Sequence, residues 1–369
     1  MSVKTMESRK IEPQAAEPKT VSCEAPAASA QAGRNAAARR AGRTRGTAIA
    51  MALALLAFSA AYIFWGRDRL PAGEILQVLS GQQVPGTSFI IMDDRLPRLA
   101  VGALAGAGLG ISGALFQRWL GNPLASPDVI GVGYGSSAAA VLAMLVLGYT
   151  DWRTNVFSLA GGLLVAAVIY WLSASGKRTG SRLILAGLAI GAMLQALIQY
   201  LLSRAEINQA ADAFRWLTGS IASSTWEQAA ILGVGLGVLA AFVLPLVLRQ
   251  LKMLELGDDT AAALGLNVSG ARVLLVFLAV AMGALPIAVT GPLAFIAFLA
   301  GPITAALTRG GINILLAGLT GATLVVVANF FAANLFADIS LPVGVITGAF
   351  GAPFLIWVLV RANSTGNGG

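Results

Sequence analysis

The stretch AIAMALALLAFSAAYIF, residues Ala48–Phe64, contains no charged residue, and AAILGVGLGVLAAFVLPLVL, residues Ala229–Leu248, repeats the pattern. Each is close to the roughly 20 apolar residues a helix needs to cross a hydrocarbon core. In lipid every backbone N–H and C=O must be paired internally, so spans are helices or a closed barrel. Barrel strands alternate apolar and polar side chains, whereas these runs are continuous, so they read as helices. The rest of the chain agrees: 57% of its residues are hydrophobic and 11% charged, against about 25% charged in a soluble domain. The expected fold class is therefore an all-α polytopic membrane protein with about ten transmembrane helices.

The expected spans are 47–65, 97–118, 129–148, 155–174, 183–203, 228–248, 271–290, 292–307, 313–335 and 341–360. Only Thr290–Gly291–Pro292 separates the seventh from the eighth, which points to a short or re-entrant segment. Residues 1–46 lack apolar runs and end in Arg34, Arg39, Arg40, Arg43 and Arg45, reading as a disordered basic cytosolic tail. The permease-like domain is 47–361, and 362–369 is a short C-terminal tail. Lys177, Arg178, Arg182, Arg249, Lys252, Arg272, Arg309 and Arg361 fall on the side of the N-terminus. The positive-inside rule makes that side cytosolic, with both termini inside. Arg67, Arg69, Arg95, Arg98, Arg153, Arg204 and Arg215 fall outside, most of them beside an acid.

There is no histidine and one cysteine, Cys23, so neither a histidine-ligated metal nor an internal disulfide is expected. Gly176-Lys177 has no glycine five positions earlier, so no P-loop is present. No carboxylate pair stands within a span. These features point away from an enzyme, and no nucleic-acid partner is expected. Asp128 is the nearest candidate for an intramembrane ionisable group, and an ion-coupled secondary transporter would need such groups. Inverted repeats, frequent in that class, are not evident.

Three segments carry more specific information. Arg95-Leu96-Pro97-Arg98 places a proline in the first turn of a span between two arginines. A glycine-rich run, Gly102–Gly110, leads through Ser112–Gln117 to Gly121-Asn122-Pro123-Leu124-Ala125-Ser126-Pro127-Asp128. Small residues four apart allow close helix approach, and backbone broken by two prolines is tolerated at membrane depth only where protein or a water-filled path receives it. Leu256–Val268 is an inside loop with two acids, an alanine-rich turn and Gly265 placed to stop a helix.

The order RLPR, GALFQ ending at Gln117, then NPLASPDVIGV resembles the FecCD-type permeases, the membrane subunits of ABC importers for iron–siderophores, haem and cobalamin. Leu341–Phe354 resembles that family's last span, and the similarity covers roughly 50–361. The resemblance implies a type II ABC importer permease-like fold in the cytoplasmic membrane of a bacterium. It implies iron(III)–siderophore transport, with cobalamin or haem as the alternative substrates. It also implies a second permease subunit, an extracytoplasmic binding protein, and a cytosolic ATPase dimer that uses ATP and magnesium, with no cofactor held by this chain. Arg95 and Arg98 become candidates for docking the binding protein. Gln117, Asn122, Pro123, Ser126 and Pro127 become candidates for the translocation path. Gly257, Asp258, Ala263, Leu264 and Gly265 become candidates for coupling to the ATPase.

The chain departs from the family pattern at three places. Ala300–Arg309 lacks the Pro-His motif, Asn329–Ala333 lacks an aspartate and an arginine, and Ser340 stands where glutamate is frequent. The second subunit is expected to be an identical copy or a non-identical sister, and the first two departures point to the sister.

Overall fold

The computed structural model describes residues 25–65, 70–128, 131–173, 179–335 and 341–366. Arg67, Arg69, Lys177 and Arg178 of the charge count, and Ser340, lie outside them. The chain divides into two units, Met1–Arg43 and Thr44–Gly369.

Among the described residues the elements are helical: α1 (Ala25–Phe64), α2 (Ala72–Leu79), α3 (Leu96–Leu120), α4 (Val132–Leu145), α5 (Trp152–Ser173), α6 (Thr179–Arg204), α7 (Ile207–Thr218), α8 (Trp226–Val238), α9 (Leu244–Leu254), α10 (Asp258–Ala263), α11 (Val268–Thr290), α12 (Ile296–Thr308), α13 (Ile314–Asn334) and α14 (Val343–Gly366). Short π-helical stretches, Phe89–Arg95 and Leu239–Val243, precede α3 and join α8 to α9. Seven segments are long and apolar enough to cross a membrane, and three shorter apolar helices, Val132–Leu145, Ile296–Thr308 and Val343–Ile356, coincide with the remaining expected spans.

The helices extend beyond the expected spans in three places. Helix α1 begins at Ala25, inside the stretch expected to be disordered. Its alanines and arginines are strong helix formers, and extending an existing helix is cheaper than nucleating one. Helix α14 likewise runs to Gly366, past the expected boundary at 361. Helices α2 and α7 fill connections to which the sequence reading assigned no element. Ile75 and Val78, three apart on α2, pack with Ile91, while α7 buries only Ala213.

The core is built on α3, which packs against α8, α11, α12 and α13. Its glycines set the distances. A Cβ on Gly106 would lie 2.3 Å from the Gly321 carbonyl oxygen, and one on Gly321 would lie 2.2 Å from the Gly106 carbonyl oxygen. The α3 and α13 backbones therefore touch directly, and packing of this kind drives helix association where lipid removes the hydrophobic force. Lower down, a Cβ on Gly113 would lie 1.7 Å from the Ala297 carbonyl oxygen at α12. On the α11 side, Pro286 lacks the N–H that would pair with Met282, and Gly108 lies against that carbonyl. The Ser112 hydroxyl adds a hydrogen bond to the Ala279 carbonyl.

Helix α3 ends in a Schellman turn. Asn122 N–H donates to Gln117 O and Gly121 N–H to Arg118 O, with Gly121 at φ 59°. Helix α12 is short, as the Thr290–Pro292 interruption implied. It begins after Phe295 at φ 66° and ends at Arg309 at φ 50°, both non-glycine residues in the left-handed region.

The charge count gives a topology that tags can check. Reporters at the N-terminus, at Gly180 and at the C-terminus should all read as cytosolic, and an outside signal from any one overturns the assignment.

Candidate functional site

At the N-terminal end of α3 the π-helical stretch turns the two arginines in different directions. Arg95 is buried at 4% exposure, and its guanidinium donates to the Ile63 carbonyl. Ile63 lies in the last turn of α1, where carbonyls lack helix partners, so Arg95 caps that helix. Of the two candidate docking arginines, Arg95 is thus the one enclosed within the subunit in this conformation. Arg98 is half-buried and pairs with Asp94 one turn earlier. Nearby, the Trp226 indole N–H donates to the Met92 carbonyl at 2.7 Å, tying the π-helical stretch to α8. Arg95→Gln should therefore lower stability, by about 1.5–3 kcal/mol for a lost charged hydrogen bond, while leaving binding-protein affinity unchanged. Thermal unfolding and a binding titration of the detergent-purified protein separate the two effects.

The break between α3 and α4 is a compact, self-bonded loop. Asn122 Oδ1 accepts from Leu124 N–H at 2.9 Å, and Val132 N–H donates to Pro127 O at 3.2 Å. Gln117 is buried, and its Nε2 donates to the Phe298 carbonyl at 3.0 Å. A Cβ on Gly301 would lie 1.8 Å from Gln117 Oε1, so this glycine makes room for the amide. Ser126 and Pro127 are buried too, with Pro127 beside Gly283 of α11. Gln117, Ser126 and Pro127 are thus enclosed within the subunit in this conformation, with Gln117 bonded to α12 and Pro127 set against α11. Asn122 is half-buried and Pro123 exposed, so these two keep a surface that a permeant could meet.

The expected coupling segment is a short projecting helix. Gly257, at φ 95°, precedes α10, and Asp258 and Asp259 occupy its first turn, where the helix dipole favours carboxylates. Gly265, at φ 84°, follows its end, a conformation that suits glycine. Ala261 is fully buried and faces the subunit, while Ala263 is exposed. Leu264 and Leu256 are exposed at 58% and 60%. The projecting surface therefore carries exposed Ala263, Leu264 and Leu256 beside the acids Asp258 and Asp259.

Two ion pairs hold this segment. Arg118 Nε and Nη2 donate to Glu255 Oε1 at 2.9 and 2.6 Å. Arg272 Nη2 donates to Asp258 Oδ1 and Oδ2 at 2.7 and 2.6 Å. Sequence reading missed both pairs. Arg118 and Glu255 are far apart in the chain, and for both pairs opposite charges at span ends carry no signal of which one meets which.

The profile of the FecCD transport family matches residues 52–361. The chain belongs to this family. Among similar FecCD proteins, the achromobactin transport system permease protein CbrC of Dickeya dadantii is 34% identical over 313 residues, covering 84% of this chain and 89% of that protein. The ferric enterobactin transport system permease protein FepG of Escherichia coli is 33% identical over 299 residues, covering 80% and 90%. A solved inward-facing metal-chelate type ABC transporter superposes with TM-score 0.74 at 26% identity, over 86% of this chain and 99% of that one. The FecCD fold expected from the motifs is therefore present, and the chain is a membrane-spanning permease subunit of an ABC importer.

Proposed function

We propose that this chain is one half of the translocation unit of a bacterial inner-membrane importer for ferric siderophore chelates. The observation that carries the substrate reading is the run of FecCD relatives named for achromobactin, ferric enterobactin and ferric citrate, matched over most of their lengths. An extracytoplasmic binding protein delivers the chelate, and Arg98 is the arginine left to meet it. A separate cytosolic ATPase pair seats the α10 segment, through exposed Ala263, Leu264 and Leu256. ATP binding closes that pair, moves the segment and shifts the permease between outward and inward states. The chelate takes part only by binding those states differently.

A second reading has its own support. The vitamin B12 import permease BtuC of Vibrio vulnificus is 31% identical over 327 residues, covering 87% of this chain and 96% of that protein. ATP hydrolysis by the reconstituted importer discriminates between the two. Binding protein presented with ferric enterobactin or ferric citrate should stimulate hydrolysis. Stimulation by cobalamin alone reverses the assignment.

The departure at Asn329–Ala333, toward the outer end of α13, supports a sister subunit with different outer contacts, while that at Ala300–Arg309 falls toward the cytosolic end of α12. Purification through a tag on this chain should yield two permease species in equal amounts. A single species with full transport activity rules the heterodimer out.

A further inference from the structure

Glu255 stands at the C-terminal end of α9, where the helix dipole disfavours a carboxylate. Its own helix does not favour it there. Arg118 holds it instead, with two guanidinium nitrogens on one oxygen, an arrangement that fixes direction as well as distance. Arg118 lies in the last turn of α3, immediately before the Gly121–Pro127 break. Its neighbour Gln117 grips α12 through the Phe298 carbonyl. On the other side of Gly257, Asp258 is held by Arg272 of α11. Helix α10 itself buries only Ala261. The projecting segment is thus thinly packed and anchored by charge to the two central helices, which Ser112 and Ala279 join to each other.

We propose that Arg118 and Glu255 are positioning residues that carry movement of the α10 segment into α3 and the broken loop after it, so that their pair sets how much chelate is moved per ATP hydrolysed. The proposal rests on the reading of the α10 segment as the ATPase contact. Both side chains are partly exposed, at 25% and 38%. Pairs of this kind contribute little to stability, so their loss should separate coupling from folding.

The test uses the complete importer in proteoliposomes, with binding protein and radio-iron supplied as ferric enterobactin or ferric citrate. Glu255→Arg and Arg118→Glu should each retain the ATPase subunit and ATP hydrolysis. Each should lower iron moved per ATP by about tenfold, within the usual range of coupling between sites. The swap carrying both substitutions should restore most of the ratio. Glu255→Gln removes charge but little volume, so it should assemble and lower the ratio even where a charge reversal fails to assemble. A wild-type ratio in the single variants, or a swap as poor as the singles, overturns the proposal. Normal assembly and transport by Ala263→Arg instead overturns the underlying ATPase contact, so the two failures are distinguishable.

Discussion

Ala263→Arg should insert, fold and bind the outer partner normally, and should lose ATPase stimulation and uptake together. Ala263 is exposed on α10, while Ala261 makes the contact with the rest of the subunit. A long side chain at 263 therefore meets no wall of its own subunit. The proposed ATPase cleft is a different environment. There, arginine places an unpaired charge in a contact formed by alanine and leucine. Uncompensated buried charge costs on the order of 3–5 kcal/mol, so affinity for the ATPase should fall by at least about a hundredfold. Co-purification of the ATPase, its hydrolysis rate and radio-iron uptake give three independent readings. Normal transport by this variant removes the α10 segment from the mechanism.

The second large effect is structural. Gly106→Val should prevent accumulation of monodisperse, folded protein. The Cβ would fall 2.3 Å from a backbone carbonyl oxygen of Gly321, which no rotamer change can move. Helices α3 and α13 must then separate along their crossing, and their packing contacts weaken steeply with distance. Overpacking typically costs about 1–3 kcal/mol and sometimes more; here the obstacle is backbone, which places the variant at the upper end. Gly113→Ala, set 1.7 Å from the Ala297 carbonyl oxygen, should behave similarly. Gly237→Ala on α8 has nothing within 4 Å of the new methyl. Alanine favours a helix over glycine by about 1 kcal/mol, so this control should be neutral or stabilising. Fluorescence-detected gel filtration and thermal unfolding in detergent compare all three. Equal behaviour of Gly106→Val and Gly237→Ala contradicts the close crossing.

The spans were legible because lipid makes apolar length a nearly sufficient signal. Runs such as Ala48–Phe64 and Ala229–Leu248 needed no partner to be recognised. The short α12 was legible from Gly291-Pro292, and α10 from its two acids and Gly265. Helices α2 and α7 were not: α2 is short and packs Ile75 against Ile91, and α7 buries only Ala213, so neither carries a span-like apolar run. The burial of Arg95 was not legible either, for a related reason. A charged residue at a span end is normally at the surface, and only the fold brings the Ile63 carbonyl to it. Gln117, Ser126 and Pro127 were correctly singled out as unusual within the membrane. Nothing in their spacing separates a residue facing a path from one filling a helix junction. Pairings such as Arg118 with Glu255 depend on how α3 and α9 end in space, which no local pattern encodes.

We propose that this permease works by ATP-driven alternation through a separate ATPase, and not by coupling to an ion gradient. The most direct measurement is uptake of radio-iron, as ferric enterobactin or ferric citrate, by proteoliposomes holding the complete importer and its binding protein. Uptake should require ATP and magnesium inside the ATPase-facing compartment and should persist when a protonophore abolishes the proton gradient. Uptake that proceeds without ATP and collapses with the gradient would contradict the account.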